Sequence, residues 1–430
     1  MKIRHLFPIL ALMPFMLFAS CSESKDDPKP SDFTHEGHEY VDLGLPSGAL
    51  WSTEELSVNG STFFAWGETS PKSTYTSANY KFLAGVDSTL TKYCFDAACG
   101  KEGFIDGVLS LLSADDPAQT NWGGKWCVPT WSEWQELYDA CTWETVEAED
   151  GTCYFVGTSK TNGKKINIPT TGAMQDEKVL YKGKGAFYWS SSLVTDNCMY
   201  AAGLSFASTS INYKTGKRTI GHCVRPVIPG DRNVLMYVDL GLPSGTKWAR
   251  SNIGALAPED GGALYAWGEV VPKSFYDFTN YKYCIETNAD STLKTLNKYV
   301  TDERYGVVDN LMQLEKVDDI AFQTYGEGWH VPTLDEINEL LTSCSYAVDS
   351  VGEQQGTRFT GPNGNSIFFP WVGTRYKGEL EYTDRGYYWG STLNADNKFG
   401  EGLFLSKGKT MLGNGFTRCS GRNVRAAFRK

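Results

Sequence analysis

The peptide Tyr-Val-Asp-Leu-Gly-Leu-Pro-Ser-Gly occurs twice without a change, at residues 40–48 and 237–245. Behind each copy the same landmarks follow in the same order: a tryptophan (Trp51, Trp248), an Ala-Trp-Gly-Glu block (65–68, 266–269), Pro-Lys-Ser (71–73, 272–274) and Asn-Tyr-Lys (79–81, 280–282). The period is about 200 residues, far above the roughly 20–50 of stacked repeats, so each copy must bury a core of its own. Two domains follow, 37–229 and 230–430. The turn-rich link at Pro229-Gly230-Asp231 is short enough to keep them close. An apolar content of 41% against 21% charged residues is enough for such cores. Acidic residues outnumber basic ones 51 to 40, which disfavours nucleic acid as a partner.

Residues 1–20 read as an export signal. Lys2 and Arg4 precede an apolar stretch, 6–18, too short to span a bilayer. Phe18-Ala19-Ser20-Cys21 resembles a bacterial lipobox, with Cys21 as the lipidated residue, although Phe stands where Leu is usual. The polar, Pro-containing segment 21–36 is a flexible tether. Its acidic residues resemble the surface-export signal of Bacteroidetes lipoproteins, which implies an outer-membrane lipoprotein facing outward. No later apolar run reaches the ~18 residues of a membrane helix, so attachment would be through the lipid alone.

In each copy the opening Tyr-Val-Asp-Leu-Gly-Leu alternates as a half-buried strand does and ends at a Pro-Ser-Gly turn. Ala-Trp-Gly-Glu is a second short strand or a turn, followed by a Tyr-rich region of loops and short helices. The clearest helix signal is Trp126-Cys-Val-Pro-Thr130-Trp-Ser-Glu133, matched by Trp329-His-Val-Pro-Thr333-Leu-Asp-Glu336. Thr130 and Thr333 are N-caps with Glu133 and Glu336 completing capping boxes. Trp134, Leu137, Tyr138 and Cys141, and likewise Ile337, Leu340, Leu341 and Cys344, form a core-facing stripe. Asn162-Gly163 and Asn363-Gly364 signal hairpins. Strands at Tyr188-Trp189 and Tyr388-Trp389 come next, and each copy closes on Arg-x-x-Gly-x-x-Val-Arg (218–225, 418–425). Arg225 and Arg425 lie in apolar surroundings, where an arginine is expected to pair with a carboxylate.

Ten cysteines follow Cys21, seven in the first copy and three in the second, and only Cys141 and Cys344 correspond. A disulfide framework essential to the fold would recur, so most are expected as buried thiols, with an occasional disulfide open in the first copy. No Cys/His zinc spacing occurs.

Taken in order, these landmarks resemble the Fibrobacter succinogenes major paralogous domain. The resemblance rests on the opening nonapeptide, Ala-Trp-Gly-Glu, Trp-x-Val-Pro-Thr-x-x-Glu, Tyr-Trp-x-Ser and Gly-x-x-Val-Arg, and covers nearly everything after residue 37. It implies an α+β fold of two tandem C-type-lectin-like domains, in which opening and closing strands pair beneath long loops. It does not imply calcium-dependent sugar binding, because the ligand triplets of such lectins are absent. Asp196-Asn197 and Asp396-Asn397, at matched positions, supply too few oxygens for calcium and are expected as turn residues.

Catalytic signatures such as HExxH, GxSxG and GxGxxG are missing, and none of the four histidines after the signal (35, 38, 222, 330) recurs between copies. Formylglycine-generating enzymes share the scaffold, yet need a reactive cysteine pair near the domain end, where only Cys223 and Cys419 stand. The expectation is a non-catalytic protein without cofactor that binds an extracellular glycan or protein. A structural subunit of a surface or fimbria-like assembly is the alternative. Ligand contacts are expected in the most divergent segments, 192–222 and 392–422. They comprise Asn394, Asp396, Asn397, Phe399, Asn414, Phe416, Arg418 and Arg422 in the second copy, with Asp196, Asn197, Tyr200, Asn212 and Tyr213 in the first. Amide, aromatic and guanidinium groups of this kind hydrogen-bond and stack.

Overall fold

The computed structural model describes residues 33–85, 89–149, 151–195, 197–207 and 210–430, with backbone alone for 207 and 210–215. The export signal, Cys21 and nearly all of the tether lie outside the described residues. The protein is α+β, with small antiparallel sheets dominating and few helices. Among the described residues every strand pairing falls within 33–228 or within 237–428.

The two stretches use their strands alike. Leu50–Ser52 pairs with His38–Asp42 on one side and with the closing strand Val227–Ile228 on the other. Lys247–Ala249 is likewise flanked by Tyr237–Val238 and Ala427–Phe428. Opening and closing segments therefore meet in both. A three-stranded sheet follows the capped helix each time: Cys141–Glu147, Cys153–Ser159 and Lys165–Pro169, then Ser345–Val351, Gln354–Thr360 and Ser366–Pro370. Gly163 and Gly364 make its hairpins at positive φ, whereas the asparagines before them do not. A last sheet holds Gly185–Leu193, Tyr200–Ala207 and Ser210–Lys217, repeated as Gly386–Leu393, Phe399–Ser406 and Lys409–Thr417.

The opening strand is shorter than its alternation predicts, ending at Asp42 and at Val238. The Asp42 carboxylate accepts from Gly44 N at 2.8 Å, and Gly44 sits at φ +62°, so an Asx turn takes the chain out of the strand. Leu43 and Leu45 then drop into the core. Ala-Trp-Gly-Glu is a turn in both copies: Glu68 N and Glu269 N each donate to the alanine carbonyl at 3.0 Å. Inside these turns Trp66 and Trp267 are buried, and their indole N–H groups donate to Ser190 O and Gly390 O across the fold.

Helices Trp131–Ala140 and Leu334–Ser343 begin with the expected capping boxes. Trp134, Leu137 and Cys141, and Ile337, Leu340 and Cys344, are buried on the core side. The closing arginines differ from expectation. Arg225 donates to Ser52 O and Asn167 O, and Arg425 to Ala249 O, Arg250 O, Phe368 O and the Asn252 amide oxygen. Backbone carbonyls, left without ladder partners where short strands end, satisfy these guanidiniums in place of a carboxylate.

The link ties the copies together. Asp231 N donates to Ser47 O, Arg232 pairs with Glu133 of the first capping box at 2.9 Å, and Asn233 accepts from Trp329 Nε1 at 2.7 Å.

Candidate functional site

The divergent terminal segments form the last three-stranded sheet of each copy, so their side chains alternate between two faces. In the second copy Tyr388, Leu403 and Leu412 stand opposite one another and face the core. The neighbouring row, Tyr387–Phe404–Met411, lies on the other face and is half-buried. The matching row of the first copy is Phe187–Ser205–Asn212.

Next along that face, Trp389 stands opposite Gly402, and Gly402 opposite Gly413. A Cβ on Gly413 would lie 2.1 Å from the Phe416 ring, so the missing side chain makes room for that ring. Arg422 fills the remaining space. Its guanidinium carbon sits 4.1 Å from the Phe416 centroid, 4.9 Å from Tyr387 and 5.1 Å from Trp389. Its Nε and Nη1 have no hydrogen-bond partner among the described residues, and burial lowers its pKa. The ring faces are the main compensation for this cation. In the first copy His222 takes the place of Arg422, stacked on Trp189 at 4.1 Å. Burial pushes its pKa down to about 3, so the imidazole is neutral.

Four expected ligand contacts prove to be buried. Arg418 is fully enclosed, bonded to Tyr299 O, Asn397 O, Lys298 O and the Tyr281 hydroxyl. Asn397 is enclosed too; its carbonyl accepts from Thr301 N and Asp302 N, and its amide donates to Thr301 Oγ1. Phe416 and Arg422 belong to the ring stack just described. The buried carbonyls of these irregular loops need donors, and long polar side chains supply them. Asn394, Asp396 and Phe399 remain half-exposed around a turn in which Asn394 bonds Glu401 and Asp396 N, while Asn414 is exposed. Asn197 is exposed and Tyr200 half-buried. Asp196 lies outside the described residues. Asn212 and Tyr213, known by backbone only, pair with Ser205 and Leu204.

The expected match of Asp196-Asn197 with Asp396-Asn397 is off by one residue. Tyr200 N donates to Asn197 O as Phe399 N does to Asp396 O, and Arg218 N reaches Met199 O as Arg418 N reaches Lys398 O. Cys198 is therefore the counterpart of Asn397, because the turn before the strand is one residue longer in the first copy.

Sequence reasoning missed the exposed rings. Just past the second strands of the hairpins that begin at Ala173–Gln175 and Thr374–Tyr376, at the base opposite each turn, Tyr181 and Tyr382 are 62% and 53% exposed and sit at φ +59° and +55°. That conformation is disfavoured for a bulky residue, on the order of 1 kcal/mol, yet both copies hold it. The signal was a tyrosine nine residues after each of Gly172 and Gly373. A Cβ on either glycine would come within 2.2 Å of the carbonyl just before the tyrosine. From Tyr382 the rings continue inward: 6.4 Å to Tyr387, then 5.3 Å to Phe404, with the Arg385 guanidinium 5.1 Å over Tyr382. In the first copy Tyr181 meets Phe187 at 5.5 Å, and Ser205 stands where Phe404 extends the chain.

A separate cleft of about 430 Å³ opens beside the second opening sheet, lined by Asp231, Tyr237, Lys247, Phe428, Arg429 and Lys430. Cys223 and Cys419 are fully buried. Burial raises both thiols, Cys419 to about 12, so neither is a ready thiolate.

Comparison with family models, with curated proteins and with solved structures returns no match.

Proposed function

We propose that this is a surface-anchored lipoprotein of two tandem lectin-like domains, which binds an extracellular glycan or protein without catalysis. The observation that carries this reading is the run of rings on the second copy, from the exposed Tyr382 through Tyr387 to Phe404, flanked by Arg385. An amphipathic aromatic ledge held at the base of a hairpin loses little side-chain freedom on contact, and it stacks on sugar rings or apolar epitopes alike. The buried, protonated thiols of the closing segments support the non-catalytic part. The contact surface in this reading is Tyr382 at the hairpin base and the half-exposed row, with Asn394, Asp396 and Asn414 at its polar margin.

The test is a glycan array and a host-protein panel, read with and without EDTA, for wild type and for Tyr382→Ala and Phe404→Ser. A ligand whose retention falls tenfold or more in both variants supports the ledge; binding unchanged in both overturns it.

A second reading, a subunit of a surface assembly, draws on the exposed apolar side chains of one segment of the second copy, Val307 at 86% and Val317 at 60%, with Val308 and Met312 between. Light scattering that shows association with rising concentration, abolished by Val307→Asp, would favour it.

A further inference from the structure

Three of the seven cysteines in the first copy meet in one place. Cys94 and Cys198 are buried, Cys99 is half-buried, and Leu83, Leu90, Phe95, Leu109 and Met199 pack around them as a small core of their own. The sulfurs of Cys99 and Cys198 and a carboxylate oxygen of Asp96 all lie within 4.8 Å of one another. Cys94 Sγ donates to Asp96 O at 3.1 Å. It also shares a thiol contact with Cys198 that draws the Cys94 pKa down and drives that of Cys198 up. Cys198 thus touches both of the others.

The second copy shows what this place is for. Tyr299 N and Val300 N donate to Asp309 as Tyr93 N and Cys94 N do to Asp106, so Val300 stands for Cys94. The bridges Leu90–Gly100 and Leu296–Gly306 set Tyr305 in the place of Cys99. Asn397 replaces Cys198, and its amide ties the turn at 396–399 to Thr301 and Asp302. Lys398 closes the same junction over the Tyr305 ring at 5.6 Å. In the first copy that amide is missing, and the Asn197 side chain accepts from Met199 N instead. Sulfur occupies the position where the second copy uses an amide and a cation.

We propose that Cys198 forms a disulfide with Cys94 or Cys99, closing this junction covalently and leaving the third sulfur as a thiol able to exchange with it. The co-reactant is an external disulfide, small molecule or protein. The Cys99 thiolate, the most accessible of the three, attacks one of its sulfurs and expels the first thiolate. Cys198, deprotonated, then attacks the Cys99 sulfur, the second thiolate leaves, and the two protons lost by the cysteines go to the two leaving groups. Attack by Cys94 on Cys198 moves the bond from Cys99 to Cys94 with no further oxidant. The proposal is independent of which ligand the protein binds.

The experiment takes the full reduced chain, folded, and exposes it to oxidised glutathione, followed by alkylation in denaturant and non-reducing tryptic mapping. The expected result is roughly one cross-link per chain, joining the peptide 93–101, which carries both Cys94 and Cys99, to the peptide that carries Cys198, with one alkylated thiol left in the former. Cys198→Ala should abolish that cross-linked pair while Cys94 and Cys99 both become open to alkylation. A Cys94–Cys99 bond with Cys198 free in the wild type, or three alkylated thiols, overturns the proposal. So does a stoichiometric zinc ion that shields the thiols from oxidation, since the cluster would then be a thiolate–carboxylate metal site.

Discussion

The two copies agree where a side chain bonds to backbone and differ at several places where side chains bond to one another. Trp66 and Trp267 donate to carbonyls on the far side of each core. Arg218 and Arg418 hold the carbonyls of Tyr93 and Tyr299. Asp115 and Asp318 each gather two lysines and a tyrosine: Lys81, Lys92 and Tyr93, then Lys282, Lys298 and Tyr299. Elsewhere residues change in sets. His222 and Ser205 become Arg422 and Phe404; Cys94, Cys99 and Cys198 become Val300, Tyr305 and Asn397; Glu55, bonded to Tyr188, becomes Asn252, bonded to Arg425. A carbonyl in a fixed loop demands one kind of donor, whereas a cluster of side chains has several solutions of equal volume, provided that its members change together.

The largest expected difference tests the first half of that statement. Arg418 makes four hydrogen bonds through Nε, Nη1 and Nη2, whereas Arg218 Nη2 has no partner among the described residues. Arg418→Ala should cost about 3–5 kcal/mol, because it leaves several buried carbonyls unpaired, and Arg218→Ala about 1–2 kcal/mol less. Urea unfolding followed by tryptophan fluorescence reads both. Equal losses would show that cavity formation, and not carbonyl satisfaction, sets the cost.

The same division explains what could be read from the residues. The helix caps were legible because Thr and Glu act on backbone within three positions of themselves, and the buried stripe because helical period is local. The pairing of opening with closing segments came through the family resemblance, not through any local pattern. The exposed tyrosines left only a faint signal, their fixed distance from Gly172 and Gly373, and the three-sulfur contact left none, since it depends on segments far apart in the chain: Arg218 bonds both the 199–200 turn and Tyr93 O, next to Cys198 and Cys94. Arg418, Asn397, Phe416 and Arg422 misled for the same reason. Polar or aromatic residues in a divergent segment look exposed until the unsatisfied carbonyls and ring faces around them are known.

A smaller contrast is the response to acid. His222 is neutral in the fold, its pKa pushed down to about 3 by burial, against an ordinary value of 6.5. A depressed histidine contributes stability that is present above pH 6.5 and is lost as pH falls toward the folded value. Between pH 7 and 4.5 the first copy should lose about 2–3 kcal/mol, and Arg422 gives the second copy no such dependence. Calorimetry at the two pH values should show an acid-labile transition that His222→Phe removes. An unchanged profile in that variant would place the acid sensitivity elsewhere.

The smallest contrast is at the capping boxes, where the backbone role is shared but the outer partner is not. Thr130→Ala and Thr333→Ala should each cost about 1 kcal/mol, equally in both copies. Their glutamates differ. Glu133 is held by Arg232, which is charged at every working pH, and Glu336 by His330 Nε2 at 2.9 Å. Burial opposes the charged imidazole, yet the Glu336 carboxylate outweighs it and the His330 pKa rises; Glu336 is lowered in turn, the His330 contact outweighing its own burial. The histidine contribution is complete below pH 6.5 and fades as pH climbs through the raised value. The glutamate contribution is complete above pH 4.5 and fades as pH drops through the lowered one. His330→Ala should therefore destabilise most between pH 4.5 and 6.5 and least near pH 9, while Arg232→Ala, with its half-exposed side chain, should cost under about 1 kcal/mol at both. If His330→Ala were as costly at pH 9 as at 5.5, the imidazole would be acting by packing, and the two copies would differ at this cap in shape alone.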